Sequence, residues 1–70
     1  MTTVQRQKLG SNVKEHRVRC GYSQRSLAQR IGTNQSLIWQ IETGRISTGF
    51  DQICRLADAF GIKPGDLVDF

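Results

Sequence analysis

The stretch that decides the fold is Gln24–Thr43, QRSLAQRIGTNQSLIWQIET. Its apolar residues recur at helical spacing, but only in two short bursts. Leu27, Ala28 and Ile31 make the inner face of one helix, and Ile38 and Ile41 that of the next. Gly32 stands between them and supplies a permissive backbone for a tight turn. Ser23 and Asn34 are good N-caps, one ahead of each helix. The segment predicts a helix opened by Ser23, a break at Gly32, and a helix over about 35–43 ended by Gly44. Ala28 is small where the two helices meet, so they can cross steeply over a turn too tight for an ordinary side chain.

Working outward, Leu9, Val13, His16 and Cys20 fall at i, i+4, i+7 and i+11, one stripe of a first helix. Thr2 and Gln5 have the spacing of a capping box, so this helix is predicted over about 3–19, with Gly21 ending it. The stripe turns His16 inward and makes Cys20 a small buried hydrophobe, and Cys54 reads the same way. Tyr22 is expected to pack at the corner between the first two helices. Beyond Thr43, a polar stretch from Arg45 to Gly49 leads to Ile53, Leu56, Ala57 and Phe60, a fourth helical stripe closed by Gly61. Pro64 suits the first turn of a short last helix that includes Leu67 and Val68. No alternating apolar run suggests a strand. The reading is all-α, five helices in one domain over residues 1–70.

Seventy residues leave room for one small core and little room for an enclosed substrate pocket. The longest apolar run, Leu37-Ile38-Trp39, is far too short for a membrane span or a signal peptide. Two cysteines are too few and too widely spaced for a disulfide framework or a zinc site, which suits a reduced, cytoplasmic protein. One histidine, no cluster of His, Cys and carboxylates, and no phosphate-binding glycine loop argue against an enzyme. No cofactor is implied.

Charge is more informative. Residues 1–45 hold eight Lys/Arg and two Glu, a net +6, while residues 46–70 are net −2. A basic front of this kind suits a polyanion. On a helical wheel, Ile38 and Ile41 point inward, and Gln35, Ser36, Trp39, Gln40 and Thr43 share the opposite arc. Glutamine can bond adenine bidentately in the major groove, and serine can serve bases or phosphates. Gln24 and Arg25 lie in the first turn of the helix that Ser23 caps, where free backbone N–H groups attract anions. Arg45, just past Gly44, is a second candidate for a phosphate, with Lys14 and Arg19 as contributors to the general field.

The combination resembles the phage-repressor-like helix-turn-helix family, the Cro and lambda-repressor type. The residues that carry the resemblance are Leu9-Gly10, Val13, Arg17, Gly21-Tyr22-Ser23-Gln24, Leu27-Ala28, Ile31-Gly32, Ile38, Ile41-Glu42 and Gly44-Arg45. They continue through Ile53, Leu56-Ala57, Phe60-Gly61-Ile62 and Leu67. His16, Thr33, Thr48 and Trp39 depart from the family's usual residues.

The resemblance implies a five-helix domain that binds double-stranded operator DNA, usually as a dimer on an inverted repeat, and controls transcription as a repressor in the nucleoid. It implies base contacts from Gln35, Ser36 and Gln40, and a phosphate contact from Gln24; Arg45, Arg25 and Thr43 are further phosphate candidates. It also implies an ion pair between Arg17 and Glu42. Trp39 stays open between packing beside its own helix, touching DNA and meeting another subunit. The apolar end at Leu67, Val68 and Phe70 is a candidate dimer surface, with the alternative that it caps the domain's own core, as Leu67 is expected to do. A module of this fold that binds a toxin or another regulator is the alternative function.

Overall fold

A computed structural model describes residues 1–70 as five helices and no strand. They are α1 (Thr3–Arg19), α2 (Gln24–Ile31), α3 (Gln35–Glu42), α4 (Phe50–Phe60) and α5 (Pro64–Leu67). Four of the five starts have a local cause. The Thr2 hydroxyl accepts from the backbone N–H of Gln5, and the Gln5 side chain accepts from the backbone N–H of Thr2. Ser23 and Ser26 make the same reciprocal pair at α2, and Asn34 Oδ1 accepts from Leu37 N–H at α3. Satisfying these first-turn donors is worth about 1 kcal/mol per cap. Pro64 opens α5, where its missing N–H costs nothing.

Two boundaries differ slightly from the sequence reading. Thr43 caps α3 rather than belonging to it, and Val68 likewise caps α5. Gly32 adopts φ +77°, the left-handed region that L side chains avoid. Space is not the constraint there, since nothing lies within 4 Å of a Cβ added at Gly32. Backbone geometry alone calls for glycine at this turn.

Twelve buried apolar side chains form one core: Leu9 and Val13 from α1, Leu27, Ala28 and Ile31 from α2, Ile38 and Ile41 from α3, Ile53, Leu56, Ala57 and Phe60 from α4, and Leu67 from α5. Tyr22 packs against this cluster and donates its hydroxyl to the Ala59 carbonyl. α3 packs on both α1 and α2, so one side of it is fixed and the other is left free. Gly10 makes the α1 contact possible. A Cβ there would overlap the Ile41 carbonyl oxygen and come within 2.7 Å of that of Glu42.

Two expectations need correction, and a third, that Leu67 caps the core, holds. Cys20 is exposed, because α1 ends one residue earlier and the cysteine sits at its C-cap. Its Sγ lies 3.9 Å from the Phe60 carbonyl oxygen at the rim of the core. His16 is half-buried rather than enclosed, and its ring stacks on Phe60 with centroids 5.7 Å apart. Leu67 is fully buried, so of the apolar C-terminal trio only Val68 and Phe70 remain at the surface.

Candidate nucleic-acid interface

The outward arc of α3 is set by what its inward arc does. Ile38 and Ile41 are essentially fully buried, and Leu37 packs against the core beside them. With 100° between successive residues, this leaves Gln35, Ser36, Trp39, Gln40 and Thr43 turned away from the core. Gln35, Ser36, Trp39 and Thr43 are exposed and Gln40 is half-buried.

Most of these side chains are loosely held. Gln35 makes no side-chain bond within the domain, and Gln40 donates to Ser36 Oγ across a long 3.4 Å. Thr43 is different, since its hydroxyl donates to the Trp39 carbonyl at 2.8 Å. Trp39 lies under the guanidinium of Arg45, which sits 4.8 Å from the ring centroid.

Behind this face, Arg17 of α1 and Glu42 of α3 form a bidentate pair. Nε donates to Oε2 at 2.6 Å and Nη2 to Oε1 at 3.2 Å. Gln24 Nε2 also donates to Glu42 Oε1, at 3.1 Å, and Arg17 Nη1 donates to the Tyr22 carbonyl. Three helices and the corner before α2 thus meet at one carboxylate. Gln24 therefore has one amide hydrogen engaged and one left over. Arg25 is exposed in the first turn of α2.

The loop after α3 is held as well. Gly44 takes φ +71°, and a Cβ there would press on Gln7 of α1. Arg6 donates through Nε to the Gly44 carbonyl, through Nη1 to that of Met1 and through Nη2 to Thr3 Oγ1. Arg45 leaves this anchored glycine, so its backbone origin is fixed while its guanidinium remains exposed.

Positive charge is concentrated in the segment that builds this face, residues 1–45. Both acids in residues 1–45 are engaged, Glu42 with Arg17 and Glu15 with Arg19. The other cations there, Arg6, Lys8, Lys14, Arg25, Arg30 and Arg45, have no acidic partner. Unpaired cations in this number, with Arg45 set against α3 itself, favour a polyanion over a neutral partner.

Sequence reasoning missed the Gln24–Glu42 bond, the Arg6 clamp and the stacking of Arg45 on Trp39. Arg6 gave no signal, because a lone arginine in a first turn looks like any solvated cation. Gly10 did carry one. A glycine inside a helix costs about 1 kcal/mol against alanine, which marks a close backbone approach.

A polar helix left free on one side and fixed on the other is the arrangement of a helix-turn-helix, and likeness to known regulators makes the chain a DNA-binding regulator of transcription. A family model for the helix-turn-helix domain matches residues 8–70, and the chain belongs to that family. No curated protein matches the sequence. Among solved structures, the chain is similar to the restriction-modification controller protein C.AhdI from Aeromonas hydrophila. They share 31% identity over 93% of this chain and 94% of that one, with a TM-score of 0.88. The hypothetical transcription factor NHTF from Neisseria is 28% identical over 91% of this chain and 74% of its own, with a TM-score of 0.87. The clp gene regulator ClgR from Corynebacterium glutamicum, at 22% identity over 91% of this chain and 68% of its own, shares the fold with a TM-score of 0.87. These neighbours are regulators rather than enzymes. No helix of the chain is long and apolar enough to cross a membrane.

Proposed function

We propose that the chain is a sequence-specific regulator that reads the major groove of double-stranded DNA with α3 and represses transcription by occupying its site. One observation carries the reading: α3 turns Gln35, Ser36 and Gln40 outward while the first turn of α2 and Arg45 flank it. A helix with its side chains is about 10–12 Å across, which fits a groove about 12 Å wide. Gln35 and Gln40 offer paired amide groups for adenine, and Ser36 bonds a base or the adjacent phosphate. The long bond from Gln40 to Ser36 is easily surrendered.

Phosphates are held around this helix. Gln24 uses its second amide hydrogen together with backbone N–H groups at the α2 N-terminus, and Arg25 and Arg45 add charge. Thr43 reaches a phosphate by rotating its hydroxyl away from the Trp39 carbonyl.

One helix spans about three or four base pairs, too few for a specific site. Two copies on an inverted repeat place their α3 helices about 34 Å apart. The domain's longest extent is 27 Å, so two fit side by side on one face of the duplex. Exposed Val68 and Phe70 are the apolar surface for that pairing. Likeness to a restriction-modification controller over nearly its whole length favours gene control of that kind, in the cytoplasm at the nucleoid.

Selection of duplexes from a random pool, then titration of matched and scrambled duplexes across a salt series, tests the reading. Gln35→Ala and Gln40→Ala should each lose about 1–3 kcal/mol on the matched duplex and almost nothing on the scrambled one. Equal losses on both remove the base-reading role. Absence of any salt-sensitive binding refutes the DNA reading and favours a protein-binding module. Sedimentation showing one protomer per site, with no symmetry in the selected sequences, overturns the dimer.

A further inference from the structure

Trp39 is the chain's only tryptophan, and it stands midway along α3 on the outward arc. Gln35 lies one turn before it and Thr43 one turn after. The side chain lies outside the core cluster and is 44% exposed. One face of the indole is covered by the Arg45 guanidinium at 4.8 Å. Every other outward residue of the helix is polar.

A large apolar ring in the middle of a polar reading face needs an apolar partner. The major groove presents hydrogen-bonding groups throughout and one apolar group, the C5-methyl of thymine. We propose that Trp39 is a specificity-determining residue whose indole packs against a thymine methyl while Arg45, stacked on the ring, holds it in place. The inference rests on the DNA reading above and adds a base to it. Stacking engages the flat face of a guanidinium and leaves its in-plane N–H groups free. Arg45 can therefore brace the indole and meet a phosphate together. Its charge also keeps the stack in the electrostatic field of the backbone, where a bare indole would have no attraction.

Uracil differs from thymine only by the missing methyl, so it tests the contact without altering any hydrogen-bonding group. Each thymine of the selected duplex is replaced singly by uracil, and affinity is measured for the wild-type chain. At one position per half-site the binding should weaken about fourfold, the burial of one methyl at about 0.8 kcal/mol. W39A should bind the thymine and uracil duplexes equally, and W39F should retain part of the difference. Acrylamide quenching of the single tryptophan should fall when the thymine duplex is bound.

Uncompromised wild-type binding to every uracil duplex overturns the proposal, and so does a W39A chain that still distinguishes thymine from uracil. Unchanged quenching in the complex puts the indole outside the interface and overturns it too. The wild-type comparison needs no variant, so a folding defect in W39A leaves the test intact. Failure to select any duplex refutes the DNA reading itself. Selection without a uracil effect leaves that reading standing and removes only Trp39 from it.

Discussion

Replacing Arg17 by alanine should destabilise the domain far more than a surface substitution does. Glu42 is only 3% exposed at its side chain, and its carboxylate has two partners, Arg17 and the amide of Gln24. Removing Arg17 leaves a buried negative charge with a single neutral donor, and stranding a charge in this way costs about 3–5 kcal/mol. The Tyr22 carbonyl loses a donor in the same step. A 70-residue domain has a total stability of roughly 4–10 kcal/mol, so the loss consumes much of it. In heat, at about 4–8 °C per kcal/mol for a domain this small, the midpoint should fall by roughly 12–40 °C.

Exposure gives the pair a direction. Arg17 is 13% exposed and carries a long flexible stem, so it can lift its head to water if Glu42 is removed. Glu42 has no such route. Arg17→Ala should therefore cost more than Glu42→Ala, although both remove the same ion pair. Urea denaturation of the two single variants and the double variant measures the coupling. A value within the additivity error of about 0.5 kcal/mol would refute the argument, as would equal losses from the two single changes.

Gly10→Ala should cost more than about 3 kcal/mol in the same assay, because its methyl meets backbone carbonyls of α3 that cannot swing aside. Thr48→Val should raise stability by about 1 kcal/mol, since the Thr48 hydroxyl is buried without a hydrogen-bond partner and valine keeps its shape. Arg45→Ala should weaken binding to matched and scrambled duplexes alike and flatten the salt dependence by about one unit of slope. Gln24→Ala should weaken both duplexes with little change in that slope, since its amide carries no charge.

The elements were legible because each has a local cause close by in the chain. Thr2, Ser23 and Asn34 mark helix starts, and Gly21, Gly32, Gly44 and Gly61 take positive φ where helices end. The core stripes of α2, α3 and α4 follow from the same periodicity. The reading failed on α1, where periodicity carried the stripe one turn too far. His16 and Cys20 lie toward the end of that helix, where α1 passes the rim of the core instead of crossing it. Periodicity gives the direction of a side chain but not the length of helix that a neighbour covers. The candidate face was legible for a related reason, since an inward stripe on an eight-residue helix fixes the outward one. The contacts that hold the face from behind join residues far apart in sequence, such as Arg6 with Gly44 and Gln24 with Glu42, and no local pattern announces them.

Those distant contacts explain how so small a core can hold α3 steady. A 12-residue core restrains α3 along its inward stripe, yet a helix of two turns can still roll or slide on apolar side chains. Directional contacts stop both motions. Glu42 near the C-terminal end of α3 is tied to α1 by Arg17 and to α2 by Gln24, which resists rolling. Gly10 lets the α1 backbone abut the Ile41 and Glu42 carbonyls, which resists sliding, and Arg6 fixes the Gly44 loop that follows. At the opposite end, Asn34 binds the first turn of α3 to the turn from α2. A base contact made by an amide needs placement within a few tenths of an ångström, since hydrogen bonds weaken steeply with distance and angle. The polar network behind the helix therefore bears on recognition as well as on folding. Weakening it with the fold retained, as Gln24→Met would, should reduce discrimination between matched and scrambled duplexes. Because Gln24 is also a proposed phosphate contact, the matched duplex must lose more than the scrambled one for this argument to stand. Equal loss would leave Gln24 as a phosphate ligand alone.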